Sequence, residues 1–305
     1  MCDEKAFADH DAFLRQSGEL TRREFGVLSA GVGLSATLSA GLAALWPGAV
    51  AAADALPVVD GEFVVKTPDG QADCYFVHPA SGKHPGVILW PDAFGLRASM
   101  RQMGKRLATS GYAVLVVNPY YRKTKAPFLP EGASFADPET RDKIMAMMGT
   151  LSAATHASDA RAFVDHLDAQ PSVDRSRKIG TFGYCMGGPI TFRTAAARAD
   201  RVGAAASFHG GGLVTDKPDS PHTLIPGMKA SFLVAIAAND DEQEPEAKNV
   251  LRDAFAKHRL DAEIEVYDAL HGWCPPDMPV YDEAKAERAW SRLLALFGRA
   301  LAKSA

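Results

Sequence analysis

Cysteine is scarce in this chain, with four among 305 residues at irregular spacing, and neither a C-x-x-C nor an H-x-x-x-H pair occurs. That excludes a disulfide framework and leaves no metal-ligand spacing for zinc, so no metal and no other cofactor is expected. Basic residues are not in excess either. The 33 Lys and Arg against 37 Asp and Glu leave a net charge of −4, which argues against a nucleic-acid partner and offers no basic patch for an anionic membrane surface. Beyond Ala53 there is no internal repeat, basic run or low-complexity tract.

The N-terminal segment is read as an address. Thr21-Arg22-Arg23-Glu24-Phe25 precedes 28 uncharged residues, Gly26 to Ala53, rich in Gly, Ala and Ser. Paired arginines before a weakly apolar stretch match a twin-arginine export signal, and Ala49-Val50-Ala51 or Ala51-Ala52-Ala53 offers the small-x-small pattern of a cleavage site. The expected partner is the twin-arginine export machinery, and the expected location is periplasmic or secreted. The alternative is a retained anchor, since the stretch is long enough to span a bilayer; Pro47 and the Gly and Ser content weaken it. Residues 1–53 are therefore assigned to export signal and leader, with an acidic, polar start expected to be disordered. Residues 54–305, about 250 in number, suit one domain with a sizeable core. That part keeps Cys74, Cys185 and Cys274, an odd count that fits a free, working thiol in an exported protein.

Strand patterns near 63–66, 72–77, 86–90, 113–117, 178–182, 203–208, 231–237 and 262–268 alternate with helical ones near 98–110, 140–169, 186–199, 245–258 and 281–303. The alternation predicts an α/β fold in one domain, a mostly parallel, doubly wound sheet covered on both faces, with an antiparallel start. Lys123 to Ala136 reads as a loop over the pocket.

Lys178 to Gly188 is an apolar run ending in G-x-C-x-G. In the α/β-hydrolase geometry such a run is a buried strand that reverses into a helix, with the central side chain at the apex of a strained turn. Cys185 is thus a candidate nucleophile; the plainer reading is a buried cysteine in a Gly-rich turn. A base and an orienting acid are also needed, in the order nucleophile, acid, histidine. Ser231 to Ala237 reads as a buried strand followed by Asn239-Asp240-Asp241, and an alternating strand, Ala262 to Asp268, leads into His271-Gly272-Trp273. Asp240 is the expected acid and His271 the expected base. Alone, each has a plain reading, a helix cap or turn for the aspartate and a satisfied histidine for the other.

On G-Y-C-M-G, the strand-end Asp240 and H-G-W, the chain from about Gly61 to its C-terminal helix resembles the dienelactone hydrolases, the carboxymethylenebutenolidase branch of the α/β-hydrolase fold. After the strand Gly86 to Trp90, Asp92-Ala93-Phe94-Gly95 is similar to the family's acidic residue followed by x-F-G. The resemblance implies a Cys185–Asp240–His271 triad that opens a small-molecule lactone or carboxylic ester, with the Ala93 and Met186 N–H groups forming the oxyanion hole. It also implies a carboxylate, here Asp92 in place of the family's Glu, beside the resting thiol, with Tyr184 and Trp273 as further groups that contact the substrate or the thiol.

Other features are weaker. Arg122, after the strand Ala113 to Val117, is weighed as a partner for a substrate carboxylate against an ordinary surface arginine. His209, at the end of another strand, either lines the pocket or is structural. Two other functions compete with the hydrolase. A thiol amidotransferase or peptidase usually places a Glu two residues after the His, where this chain has Trp273. A non-catalytic small-molecule binding protein on the same fold would keep the residues without the turnover.

Overall fold

The computed structural model describes residues 55–303. The export motif, its cleavage site and the leader lie outside the described residues. Five-residue runs without a polar side chain must be buried on both faces, and Gly86–Trp90 (β3) and Ala113–Val117 (β4) are buried throughout. They lie inside an eight-stranded sheet of order β1-β2-β4-β3-β5-β6-β7-β8, which also contains Val58–Thr67 (β1), Gly70–Pro79 (β2), Ile179–Tyr184 (β5), Val202–Phe208 (β6), Ser231–Ala237 (β7) and Ala262–Tyr267 (β8). β1, β2 and β4 pair antiparallel, and every other pairing is parallel. This is the α/β arrangement that the alternation predicts.

Helices cover both faces. Ala98–Thr109 (α1) and Glu283–Ala300 (α7) bring Leu107, Leu293 and Phe297 against one side, while Ala153–Asp168 (α3), Gly187–Ala197 (α4) and Ala247–Lys257 (α6) bring Phe163, Phe192 and Phe255 against the other. Pro138–Met148 (α2) and Ala238–Gln243 (α5) complete the helices named here. No helix among the described residues is long and apolar enough to cross a membrane.

Three elements differ from their sequence-based bounds. The helix expected over 140–169 is two helices, because Asp137 caps α2 by accepting from Thr140 N–H and Ser152 opens α3 with a capping box to Thr155. The helix expected near 245–258 is α6, preceded by the short α5 directly at the end of β7. β1 is longer than the expected 63–66, pairing with β2 from Val58 to Thr67; most of its side chains are exposed, so no buried alternation marks its first half.

Candidate active site

Two residues separate β5 from α4, and the chain must reverse within them. Cys185 sits at φ 51°, left-handed backbone that side-chain-bearing residues rarely adopt. The turn is held by the Cys185 N–H on the Phe208 carbonyl at 3.0 Å and by the Gly188 N–H on the Cys185 carbonyl at 2.9 Å. Glycine is required on both sides. A β-carbon at position 183 would lie 2.5 Å from the Gly187 carbonyl oxygen, and one at Gly187 would strike the backbone of Trp90 on the next strand.

β7 and β8, adjacent and parallel, carry the other two residues to the same end of the sheet. The Asp240 carboxylate oxygens lie 2.8 and 2.9 Å from His271 Nδ1, and the His271 backbone N–H donates to Asn239 Oδ1 at 2.8 Å. Asp241 turns away, accepting from Lys248 Nζ at 2.6 and 2.8 Å. Burial disfavours a charged His271, but the Asp240 charge and then the negative charge of a Cys185 thiolate outweigh it, so the imidazole is raised well above its ordinary range. The structure thus brings Cys185, His271 and Asp240 together.

His209 stands behind the base. Its ring is edge-on to His271, with centroids 4.9 Å apart, and equally close to Trp273 at 5.1 Å. Burial, then the charge of His271, pushes its pKa well down, so it stays neutral. Tyr184 and Trp273 are core groups on the α1 and α7 side: Tyr184 stacks on Phe208 at 5.3 Å and Trp273 on Tyr267 at 5.2 Å.

Where the resemblance implies a carboxylate against the resting thiol, both oxygens of Asp92 are taken by Arg97, at 2.7 and 2.9 Å, and one also by the Phe94 N–H at 2.9 Å. Arg97 in turn holds Asp277 at 2.6 and 3.0 Å. Arg122 is a correction to the expected substrate contact. Its Nε and Nη2 bond Asp69, and its Nη1 and Nη2 bond Asp159, at 2.5 to 2.9 Å, leaving a structural clamp between the β1–β2 turn and α3.

Three positioning residues escaped the sequence reading. Arg97 and Asp277 pair across 180 residues of chain, which no local pattern reports. Tyr120, fully buried, has its hydroxyl 3.0 Å from the Ala93 carbonyl oxygen and 3.1 Å from Met186 Sδ, one proton shared between two acceptors. Its only signal is its place in Asn118-Pro119-Tyr120, just past β4. Among the described residues no group of three or more His, Cys, Asp or Glu is arranged to hold a metal.

A strained strand-to-helix cysteine, followed along the chain by an acid and a histidine at the ends of adjacent parallel strands, defines an α/β-hydrolase fold. Residues 72–301 match the model of the dienelactone hydrolase family, and the chain belongs to that family as a hydrolase. A Salmonella typhi protein with the provisional name carboxymethylenebutenolidase is 27% identical over 258 residues, covering 77% of this chain and 91% of that protein. Carboxymethylenebutenolidase 1 of Cupriavidus pinatubonensis is 22% identical over 237 residues, covering 78% and 95%. Among solved structures, a dienelactone-hydrolase-like promiscuous phosphotriesterase from metagenomic libraries superposes with a TM-score of 0.66 at 25% identity, over 81% of this chain and 100% of that one.

Proposed function

We propose that this hydrolase opens a carboxylic ester or lactone by acyl transfer to Cys185. The observation that carries the reading is the imidazole of His271, held by Asp240 through Nδ1 and lying against a thiol at the apex of a strained turn. His271 takes the thiol proton through Nε2 while the sulfur attacks the carbonyl carbon. The carbonyl oxygen gains the electron pair and is met by the N–H groups of Ala93 and Met186; the neighbouring amides of Phe94, Cys185 and Gly188 already have acceptors. Collapse breaks the acyl C–O bond, and His271 returns the proton to the leaving oxygen. Water, deprotonated by His271, then attacks the thioester and releases the acid with the thiol restored.

Asp240 holds the imidazole tautomer and balances the imidazolium. The names of the relatives support a lactone or ester substrate, since a butenolidase opens an unsaturated lactone. The twin-arginine reading of residues 1–53 adds a periplasmic or secreted location for the catalytic domain.

The test is hydrolysis of a panel of aryl esters and unsaturated lactones beside iodoacetamide labelling with peptide mapping. All three described cysteines are buried, but burial pushes the Cys74 and Cys274 thiols up while Cys185 lies against the His271 imidazole, so Cys185 should take the label first. Cys185→Ala should abolish turnover with an unchanged melting temperature, while Cys74→Ala and Cys274→Ala keep most of it. Full hydrolysis after complete, exclusive alkylation of Cys185 would sink the mechanism, and no hydrolysis of any panel member would favour a binding protein.

A further inference from the structure

A strand at the end of a sheet leaves a row of backbone donors and acceptors open, and natural proteins blunt such edges unless something pairs with them. This sheet ends on β1 and β8. β8 is blunted: it is short, it carries no large exposed apolar side chain, and its Ile264 carbonyl accepts from Arg252 of α6 at 3.2 Å. β1 is not. It pairs with β2 over ten residues without a bulge and contains no proline. Of the seven large apolar residues exposed among the described residues, four lie in or just before β1, namely Leu56, Val59, Phe63 and Val64, at 39 to 59% exposure.

The hairpin fixes which groups point outward. β1 and β2 are joined by the two-residue turn Pro68-Asp69, so Thr67 and Gly70 form the closing hydrogen-bonded pair, and ladder bonds recur at every second residue from there. Pro57, in step with Thr67, has its carbonyl bonded inward to the Ala80 N–H at 2.8 Å. The backbone groups of Val58, Asp60, Glu62, Val64 and Lys66 therefore face away from the sheet, and none has a partner among the described residues. Outward residues can pair only with outward residues, which leaves few registers for a second β1 running antiparallel. With Phe63 opposite Phe63 of the second copy, residues 59–67 pair, Asp60 falls opposite Lys66, and Glu62 falls opposite Val64. Opposite charges then meet twice and like charges nowhere. Moving the axis to Glu62 sets two glutamates against each other, and moving it to Val64 shortens the pairing to 61–67. Lys66 is exposed and has no ionic partner among the described residues, while Asp60, on the same face, lies 3.5 Å from Lys105.

We infer that β1 pairs antiparallel with β1 of a second copy of this chain, about a two-fold axis at Phe63, so that the two sheets become one. The self-complementary charge of the strand selects a second copy over an unrelated partner. A single strand pair is a small interface, so the association is expected to be reversible. It does not depend on the acyl transfer proposed for Cys185.

The experiment is sedimentation velocity of the full chain at loadings from roughly 1 to 200 μM, a span suited to so small an interface. The weight-average mass should rise toward twice that of one chain. Lys66→Glu sets a carboxylate opposite Asp60 and should raise the dimer Kd at least tenfold with an unchanged melting temperature. Val64→Pro removes an outward N–H and no bond to β2, and should stay monomeric at every loading; if it fails to fold, Lys66→Glu decides. The register is read by cross-linking in a Cys2→Ser background. Phe63→Cys brings two thiols to a non-hydrogen-bonded pair, where Cα atoms about 4.5 Å apart suit a disulfide, so mild oxidation should give a covalent dimer. Val59→Cys, opposite Thr67, should link at least fivefold less. A monomer at every loading, a dimer that Lys66→Glu leaves unweakened, or equal linking by the two cysteine variants overturns the inference. Exchange-protected amides over residues 60–66 in such a monomer would assign the edge instead to residues 1–54 of the same chain.

Discussion

The hydroxyl of Tyr120 donates to the backbone carbonyl of Ala93, 3.0 Å away, while lying 3.1 Å from Met186 Sδ. The two residues proposed to meet the oxyanion come from different loops, one after β3 and one after β5, and this phenol touches both. Tyr120→Phe keeps the ring against Phe128, 5.1 Å between centroids, and leaves a buried carbonyl short of one donor. The cost in stability should be about 1–2 kcal/mol. If the phenol also sets the Ala93 peptide, kcat for ester hydrolysis should fall on the order of tenfold with KM little changed; a stability loss without a kcat change would show that it only packs.

Asp240 and Asp241 are adjacent in sequence and bonded to different partners, Asp240 to His271 and Asp241 to Lys248. Asp240→Asn leaves the wrong imidazole tautomer facing the thiol and should lower kcat on the order of a thousandfold or more. Asp241→Asn loses a partly buried pair with Lys248 and should keep activity within about twofold, with a stability change of about 1 kcal/mol. Steady-state kinetics on the two variants separate the assignments, and a crippled Asp241→Asn beside a mild Asp240→Asn would reverse them.

His156 in α3 is buried with neither ring nitrogen bonded to another described residue. Burial, then the charges of Arg193 and Arg122, pushes its pKa down to about 3 from an ordinary 6.5. Below pH 6.5 the unfolded chain binds a proton that the folded one refuses, so this residue lowers stability as pH falls from 6.5 toward 3. At pH 4.5 the penalty is about 3 kcal/mol, from roughly two pH units at 1.36 kcal/mol each. His156→Leu removes it. Urea unfolding at pH 7.0 and 4.5 should show a smaller loss between the two in the variant than in the wild type, and an equal loss would mean that His156 is protonated in the folded state.

The Thr21-Arg22-Arg23-Glu24-Phe25 motif and the alanine-rich segment behind it carry an expectation about processing. Intact-mass analysis of a periplasmic fraction should find a chain beginning near Ala52 or Asp54. Full-length protein confined to the cytosol would end the export reading.

The sequence by itself determined the frame of this protein. Buried runs such as Gly86 to Trp90 and Ala113 to Val117 carry their strand identity locally, because a segment with no polar side chain has no exposed face. The glycines around Cys185 belong to the same class of signal, since the close approach of two backbones excludes any side chain there. The order of Cys185, Asp240 and His271 was legible because parallel strands deliver successive loops to one edge of the sheet. The break between α2 and α3 was written there too, in Asp137 and Ser152, beneath a helical pattern that continued past it.

Tertiary structure alone decided which charged groups meet. Asp240 rather than Asp241 faces His271 because α5 begins directly at the end of β7 and points successive side chains about 100° apart. Arg122 closes on Asp69 and Asp159, and Arg97 on Asp92 and Asp277, through pairings across 37 to 180 residues for all but one of the four. A guanidinium carries no mark of its partner in its own neighbourhood of the chain. Ion pairs form between whatever the folded backbone brings within reach, and so the electrostatics of the site, unlike its strands and its turn, became readable only once the sheet was assembled.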